Sequence, residues 1–152
     1  MGKKEIKICL ISSSGGHFEQ LRMLKPLEKN YKVFWITESA DYEAPADYYM
    51  RQTTPSKVRN MFSMLINIMK AISIWYKERP DYVITTGTLV ALPMAILAKL
   101  LNKKLIYIET FARVYDGTRS GKLMYKYADL FIIQWESLKE IYPNAVYGGS
   151  IY

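Results

Sequence analysis

The sequence predicts an α/β fold, in which a parallel sheet carries helices on both of its faces. Short apolar runs of the length of a buried strand recur along the chain. Between them lie longer stretches whose apolar residues recur at helical spacing. Strands that alternate with helices are joined by crossover connections, which place neighbouring strands parallel to one another. Apolar residues make up 50% of the 152-residue chain, enough to form the core of one domain.

The first predicted strand covers residues 6–11 and leads into a turn of small residues and then a helix. The stretch reads IKICLISSSGGH, and a helix is predicted over 17–27, with Pro26 interrupting its last turn. Gly15 and Gly16 would let the backbone turn sharply and approach a ligand closely. An anion such as a phosphate suits the start of a helix. A Gly-Gly turn that serves tight packing alone is the alternative.

His17 follows this turn and is the only histidine of the chain. At the mouth of a ligand-binding turn it would act as a general base or contact a phosphate group. The spacing of the turn is neither G-x-G-x-x-G nor that of a P-loop, so it gives little support to a dinucleotide or Walker-type site.

The next two predicted strands are separated by a polar loop. Residues 32–36 predict the second strand and residues 48–52 a short third one. Residues 37–46 predict a loop, which is either a ligand-binding loop beyond the end of a parallel strand or a solvated connection.

The longest predicted helix covers residues 56–78, with Ser56 as its N-cap. Its predicted apolar face consists of Val58, Met61, Phe62, Leu65, Met69, Ile72 and Tyr76, and its opposite side of Ser63, Asn67, Lys70 and Lys77. The apolar sector is wider than contact with one sheet requires and has basic flanks, which is typical of a helix in a membrane interface. The predicted membrane patch consists of Phe62, Leu65, Ile66, Ile74 and Trp75. A core helix with a protein interface is the alternative.

A second strand–turn–helix unit follows this helix. Residues 82–86 predict a strand, and Gly87 and Thr88 predict a turn. Residues 89–101 predict a helix with Pro93 in its first turn, where a missing N–H group costs little.

Two charged residues lie at the end of the strand predicted over 105–109. Glu109 ends this strand and Arg113 follows it closely, at an edge of the sheet where binding groups gather. An ion pair between the two residues is the alternative. The rest of the chain predicts a helix over 119–128, a strand over 130–134, a helix over 136–142 and a last strand that begins at Val146.

The composition favours an anionic partner. The chain has 21 Lys and Arg against 14 Asp and Glu, a formal net charge of +7, which suits phosphate groups, anionic lipid or nucleic acid. The single cysteine, Cys9, allows no disulfide within the chain and fits a reducing compartment. No signal-peptide pattern and no run of roughly 18 apolar residues is present, so any membrane contact is expected to be peripheral.

Three motifs at the predicted strand ends carry a resemblance to a known family: SSGGH at 13–17, TGT at 86–88 and IETFARV at 108–114. Together they resemble the asparagine-linked glycosylation fourteen family, whose eukaryotic members are the membrane subunit of the dolichol-linked UDP-GlcNAc transferase. The resemblance is closer to the bacterial PssD-type members of capsule and exopolysaccharide biosynthesis, and it covers essentially the whole chain. The chain is also similar to the N-terminal half of the peptidoglycan N-acetylglucosaminyltransferase, a two-domain GT-B enzyme.

The resemblance implies a division of labour between two chains. It implies a Rossmann-like GT-B N-terminal half-domain over residues 1–152, a single acceptor-binding domain. In a GT-B enzyme the C-terminal domain holds the UDP-sugar, and in this family a separate catalytic polypeptide supplies that domain. The chain is therefore expected to be the acceptor-binding, membrane-recruiting subunit of a two-component glycosyltransferase, with little or no activity alone.

The implied reaction transfers a sugar from a UDP-sugar to a lipid-diphosphate-linked saccharide, with no metal or other cofactor. The eukaryotic members carry an N-terminal membrane anchor, whereas residues 1–7 are charged here, so the patch or the partner is expected to supply peripheral contact with the cytoplasmic face of the cell membrane. A self-sufficient nucleotide-binding α/β enzyme is one alternative. A basic, aromatic RNA-binding module is another, although the chain has no RNP-type or zinc-knuckle pattern and nucleic acid is not the expected partner.

The resemblance also implies roles for the residues of the three motifs. The acceptor diphosphate would contact Ser13, Ser14, Gly15, Gly16, Thr86, Gly87, Thr88 and Arg113. His17 would contact that phosphate or deprotonate the acceptor hydroxyl. Glu109 is the competing candidate base, or would bind a sugar hydroxyl, and Arg113 would offset the diphosphate charge or hold Glu109 in place.

Overall fold

One parallel sheet of seven strands forms the centre of the part of the chain that the structure describes. The computed structural model describes residues 5–40, 44–52 and 57–152. The strands are β1 (Lys7–Ile11), β2 (Lys32–Glu38), β3 (Tyr48–Met50), β4 (Tyr82–Thr85), β5 (Lys104–Ile108), β6 (Leu130–Ile133) and β7 (Val146–Tyr147). Their order in the sheet is β3-β2-β1-β4-β5-β6-β7, and every neighbouring pair is parallel. The predicted parallel α/β sheet is confirmed.

In the described ranges, four α-helices and three short 3-10 segments connect the strands. The α-helices are α1 (Gly16–Arg22), α2 (Lys57–Glu78), α3 (Leu92–Leu100) and α4 (Arg119–Met124), and the 3-10 segments are Lys25–Lys29, Leu89–Ala91 and Glu136–Glu140. The helix predicted over 17–27 is divided into α1 and a 3-10 segment because Pro26 lacks the N–H group that an α-helical turn would use. Ser56, the predicted N-cap of α2, lies outside the described residues, as does the side chain of Val58.

The loop predicted over 37–46 begins later than expected, because β2 continues through Thr37 and Glu38. Both residues are buried and pair in register with β3. The sheet therefore extends over the first part of this stretch, and residues 41–43 lie outside the described chain.

The helices form two layers, one on each face of the sheet. Side chains of α2, α3 and α4 share one apolar core with the strands, and this core includes Ala71, Trp75, Met94, Ala98 and Met124. We call this side the three-helix face. Leu21 of α1 belongs to a second core on the opposite side, which we call the α1 face, together with Ile8, Leu10, Ile84 and Ile108. The predicted helices on both faces are confirmed.

The orientation of α2 corrects the predicted membrane patch. Ile74 and Trp75 were expected at the surface, but each is only 6% exposed because both pack in the core of the three-helix face. Ile66 is half-buried. The remaining two predicted residues, Phe62 and Leu65, are exposed to 59% and 57%. The exposed apolar residues of this helix, which we call the α2 stripe, are Met61, Phe62, Leu65, Ile68, Met69 and Tyr76.

Two polar residues that were predicted on the outer side of α2 face inward instead. Asn67 has no exposed surface, since its side-chain amide accepts a hydrogen bond from the backbone N–H of Arg51 at 2.7 Å and donates one to the backbone carbonyl of Arg51 at 2.9 Å. Ser63 is also buried. These two hydrogen bonds satisfy backbone polar groups at the end of the edge strand β3. They explain why an asparagine lies on the core side of this helix.

Part of the α1 face has little cover. In this layer α1 contacts β1 and the Lys25–Lys29 segment contacts β2, whereas Ile106 of β5 and Ile132 of β6 are only half-buried. Interior strands of a parallel sheet are ordinarily buried on both faces. Tyr82, Ile106 and Ile132 thus mark a half of this face, which we call the open half, that the described chain covers incompletely.

None of the helices in the described ranges combines the length and the apolar character that crossing a bilayer requires.

Candidate functional site

The three motifs meet at the carboxyl edge of the sheet. β4 lies beside β1, with Ile11 opposite Thr85, and β5 lies beside β4, with Thr85 opposite Tyr107. The turn after β1, the turn after β4 and the loop after β5 are therefore neighbours. The strand order changes direction between β1 and β4, which is where parallel α/β sheets leave a crevice for a ligand.

The turn after β1 borders open space. Gly15 has a φ of 78° and a ψ of −143°, a conformation that favours glycine. A side-chain carbon added to Gly15 or Gly16 would meet no atom within 4 Å. Both glycines are exposed, and the neighbouring Ser13 and Ser14 are half-buried. The backbone of this turn is therefore accessible to a ligand.

His17 is fixed to the turn after β4 by two hydrogen bonds. Its Nδ1 lies 3.0 Å from the carbonyl oxygen of Thr86, and the Thr86 hydroxyl donates to the carbonyl oxygen of His17 at 2.9 Å. Because a carbonyl oxygen only accepts hydrogen bonds, Nδ1 must carry the proton. The neutral ring then has its lone pair at Nε2, the atom that would accept a proton from a bound hydroxyl group.

The turn after β4 has an unusual backbone. Gly87 has a φ of 111° and Thr88 a φ of 82°, and a β-branched residue in this region is strained. The Thr88 hydroxyl is buried and has no hydrogen-bond partner in the described chain. Backbone strain of this kind is found most often where a ligand binds.

Glu109 does not face the crevice. Its side chain has no exposed surface, and four groups donate to it: the backbone N–H of Thr110 at 3.0 Å, the hydroxyl of Thr118 at 2.9 Å, the backbone N–H of Thr118 at 3.2 Å and the hydroxyl of Tyr142 at 2.8 Å. No salt bridge to this carboxylate occurs in the described ranges. This geometry favours a structural role over that of a base or a sugar ligand.

The alternative of an ion pair between Glu109 and Arg113 is wrong. Arg113 binds Asp116 at 2.5 Å, and both side chains are well exposed. The pair with Asp116 forms because the loop after β5 turns Arg113 outward, whereas hydroxyl and amide groups surround Glu109. Arg113 remains accessible to an anionic ligand.

The loop after β5 is tied to two distant parts of the chain through Phe111. Its backbone N–H donates to the side chain of Gln20 in α1 at 3.4 Å, and its carbonyl oxygen accepts from the indole N–H of Trp135 at 2.7 Å. The rings of Phe111 and Trp135 are 4.7 Å apart. The sequence does not point to Gln20, Trp135 or Tyr142, because each is joined to the site only by the tertiary fold.

Two buried tyrosines next to Glu109 hold their protons firmly. Burial, and then the charge of Glu109, raise the pKa of Tyr107 to about 12. The same two causes raise the pKa of Tyr142 above its ordinary range. Both hydroxyl groups therefore stay protonated at neutral pH and can serve as hydrogen-bond donors.

We expect Gly121→Ala to destabilise the fold by about 3 kcal/mol, since the methyl group would lie where packing leaves no room. The added carbon would be 2.0 Å from a carboxylate oxygen of Glu109 and 2.8 Å from the hydroxyl oxygens of Thr118 and Tyr142. Gly16→Ala is the matched control, because nothing lies within 4 Å of its added carbon. Urea unfolding measures both variants, and equal midpoints would contradict this account of Gly121.

Comparison with known proteins identifies the family. A family model described as "Oligosaccharide biosynthesis protein Alg14 like" matches residues 46–151, more than half of the chain. The chain belongs to the Alg14 family. The predicted family is thus confirmed, and the matched range contains the turn after β4 and the loop after β5.

Individual Alg14 proteins match over almost the whole chain. The UDP-N-acetylglucosamine transferase subunit ALG14 of Rattus norvegicus is 29% identical over 182 residues, covering 98% of this chain and 84% of its own. The subunit of the same name from Candida albicans is 30% identical over 172 residues, covering 96% and 78%. A Prochlorococcus marinus UDP-N-acetylglucosamine–N-acetylmuramyl-(pentapeptide) pyrophosphoryl-undecaprenol N-acetylglucosamine transferase is 28% identical, covering 90% and 42%.

Solved structures confirm the Rossmann-like α/β fold of this Alg14-family chain. MurG from Acinetobacter baumannii superposes with a TM-score of 0.67 at 17% identity, covering 87% of this chain and 42% of MurG. UDP-GlcNAc 2-epimerase from Neisseria meningitidis superposes with a TM-score of 0.72 at 13% identity, covering 96% and 47%. The chain therefore spans less than half of these two larger proteins.

Proposed function

We propose that this chain is the acceptor-binding, membrane-recruiting subunit of a two-chain glycosyltransferase whose partner holds the UDP-sugar. One observation carries the proposal: the aligned region covers 84% of the length of an Alg14 transferase subunit but only 42% of the length of MurG. The proposed acceptor is a lipid-diphosphate-linked saccharide. The resemblance to PssD-type members supports a place in capsule or exopolysaccharide biosynthesis.

Two features of the crevice, and the net charge of the chain, support a diphosphate as its ligand. The backbone of the turn after β1 is accessible beside Gly15 and Gly16, and the buried hydroxyl of Thr88 has no hydrogen-bond partner among the described residues. We assign the diphosphate to the space between these two turns, with Ser13 and Ser14 beside it. The net charge of +7 would attract an acceptor that carries a lipid diphosphate.

His17 is the proposed general base. Its Nε2 would take the proton of the acceptor hydroxyl while that oxygen bonds to C1 of the sugar. The bond between C1 and the phosphate oxygen of UDP breaks in the same step, and UDP leaves with the electron pair on the partner's side. The bond from Nδ1 to the Thr86 carbonyl would stabilise the imidazolium that forms, because it becomes charge-assisted.

The open half of the α1 face is a proposed docking surface for the partner chain. Its half-buried residues Tyr82, Ile106 and Ile132 would gain the cover that a parallel sheet ordinarily has. Co-expression with a candidate catalytic chain, followed by size-exclusion chromatography and an assay with radiolabelled UDP-sugars, tests the proposed function. A stable complex that transfers a sugar supports it, whereas tight UDP-sugar binding and turnover by this chain alone would favour a self-sufficient enzyme.

The α2 stripe is the proposed membrane contact. It combines exposed apolar side chains with cations, and the guanidinium of Arg51 lies 5.8 Å from the ring centre of Phe62. Lys70 and Lys77 are exposed on the same helix. An apolar strip with basic flanks binds the interface of an anionic bilayer through burial of apolar area and charge attraction.

We expect the double substitution Phe62→Glu with Leu65→Glu to leave the fold intact and to lower binding to phosphatidylglycerol vesicles by tenfold or more. Two exposed apolar groups are lost and two negative charges face an anionic surface, with each effect of about 1 kcal/mol. Vesicle co-sedimentation measures the change. Met23→Glu with Tyr31→Glu is the control, because these exposed residues lie away from α2. Equal losses in both variants would contradict a membrane role specific to the α2 stripe.

A further inference from the structure

Burying the carboxylate of Glu109 costs free energy that burying an apolar side chain in the same place would not. A fully buried carboxylate without a salt bridge costs several kcal/mol unless hydrogen bonds compensate it, and four donors surround this one. An apolar side chain would fill the same space without needing any of them. The carboxylate is therefore expected to position other groups.

A line of hydrogen bonds leads from Glu109 to the turn after β4. The hydroxyl of Thr118 donates to Glu109 and lies 3.2 Å from the hydroxyl of Tyr107. The Tyr107 hydroxyl lies 3.2 Å from the hydroxyl of Ser120. Ser120 in turn accepts the backbone N–H of Thr88 at 3.4 Å. The carboxylate thus orients a chain of hydroxyl groups that ends on the turn.

The turn after β4 depends on such support. Gly87 and Thr88 both have positive φ, and strained backbone persists only where the surroundings determine it. The Tyr107 hydroxyl closes the turn from one side, because a side-chain carbon at Gly87 would lie 2.6 Å from it. Without this hydroxyl, the turn would lose that contact and would be held only through Ser120, whose hydroxyl also lies 3.3 Å from that of Thr118.

The turn after β4 also determines which ring nitrogen of His17 carries the proton. The Thr86 carbonyl, directly before Gly87, is the acceptor that requires the proton on Nδ1 and leaves Nε2 free. We propose that Glu109 is a positioning residue, which holds the turn after β4 through this line of hydroxyl groups and thereby keeps His17 in its Nδ1–H form. The proposal rests on the proposed function in one respect only, namely that Nε2 accepts the proton of the acceptor hydroxyl.

The histidine itself supplies the test, because His17 is the only one in the chain. Ring-nitrogen NMR of the isolated chain in alkaline buffer gives the ratio of the two neutral tautomers of this ring. We expect the Nδ1–H form to dominate in the unsubstituted chain. Tyr107→Phe and Glu109→Ala are each expected to shift the ratio toward Nε2–H by about fivefold, the effect of losing roughly one hydrogen bond.

Tyr125→Phe is the matched control. Its ring packs against Phe131 and Tyr142 in the same aromatic cluster, but its hydroxyl accepts from the backbone N–H of Asn144 at 2.8 Å and takes no part in the line to His17. We expect the tautomer ratio of this variant to equal that of the unsubstituted chain. If Glu109→Ala does not fold, Tyr107→Phe alone decides, because it removes a single oxygen.

Transferase kinetics of the two-chain complex distinguish positioning from catalysis. Glu109→Gln is expected to lower kcat together with a shift in the tautomer ratio. Loss of transfer by Glu109→Gln with an unchanged ratio would overturn the proposal, as would an unchanged ratio in folded Tyr107→Phe. If the complex proves to have no transferase activity, the proposed function fails, whereas the NMR result still decides what Glu109 does to His17.

Discussion

His17→Ala is expected to slow sugar transfer by the two-chain complex by about 10²- to 10⁴-fold, the range that a positioned general base contributes. The substitution removes Nε2, the only histidine nitrogen of the chain that is free to accept a proton at the crevice. Initial rates with saturating acceptor and UDP-sugar measure the effect on kcat.

The fold and the complex are expected to survive this substitution, because His17 is half-buried and loses one side-chain hydrogen bond of about 1 kcal/mol. Glu19→Ala is the matched control: Glu19 lies on the same helix, is exposed, and bonds to Arg22. We expect its turnover to be normal. Unchanged turnover by His17→Ala in an intact complex would remove His17 from the mechanism.

The double substitution Ile74→Glu with Trp75→Glu is expected to unfold the chain. Truncation of a buried tryptophan alone costs about 3–5 kcal/mol, and the new carboxylates would be buried without partners. Both residues are 6% exposed in the core of the three-helix face. The loss would approach the whole stability of a typical domain, about 5–15 kcal/mol. Circular dichroism with temperature or urea measures it.

Met69→Glu is the control on the same helix, because Met69 is 68% exposed on the α2 stripe. We expect it to retain helical structure and a cooperative transition. A folded Ile74→Glu, Trp75→Glu chain that merely loses vesicle binding would show that the original membrane-patch prediction was right and the orientation of α2 described above wrong.

The case of α2 shows why a helical face cannot always be predicted from its sequence. The regular apolar face of this helix is mostly exposed, so periodicity alone does not decide which side is buried. The decision depends on Asn67, whose amide bonds to the backbone of Arg51 at the end of β3. A polar residue normally indicates the solvent-exposed side of a helix. Here the contact with β3 places the polar side chain on the buried side instead.

The sheet and the meeting of the three motifs could be predicted, because both follow from local rules. Buried apolar runs that alternate with helices require parallel strands, and parallel strands bring their carboxyl-end turns to one edge. The family resemblance assigned His17 and Thr86 to one site, whereas the hydrogen bonds that join them are found only in the folded chain. The setting of Glu109 could not be predicted in the same way, because Tyr142 and Thr118 reach it only in the folded chain.

Sugar transfer measured with this chain alone, the partner alone and the two together tests the central claim most directly. We expect transfer from a UDP-sugar to the lipid-linked acceptor only when both chains are present, because the proposed function gives the acceptor crevice to one chain and the donor site to the other. Transfer by this chain alone, at the rate of the mixture, would contradict the claim that it contributes only the acceptor half of the enzyme.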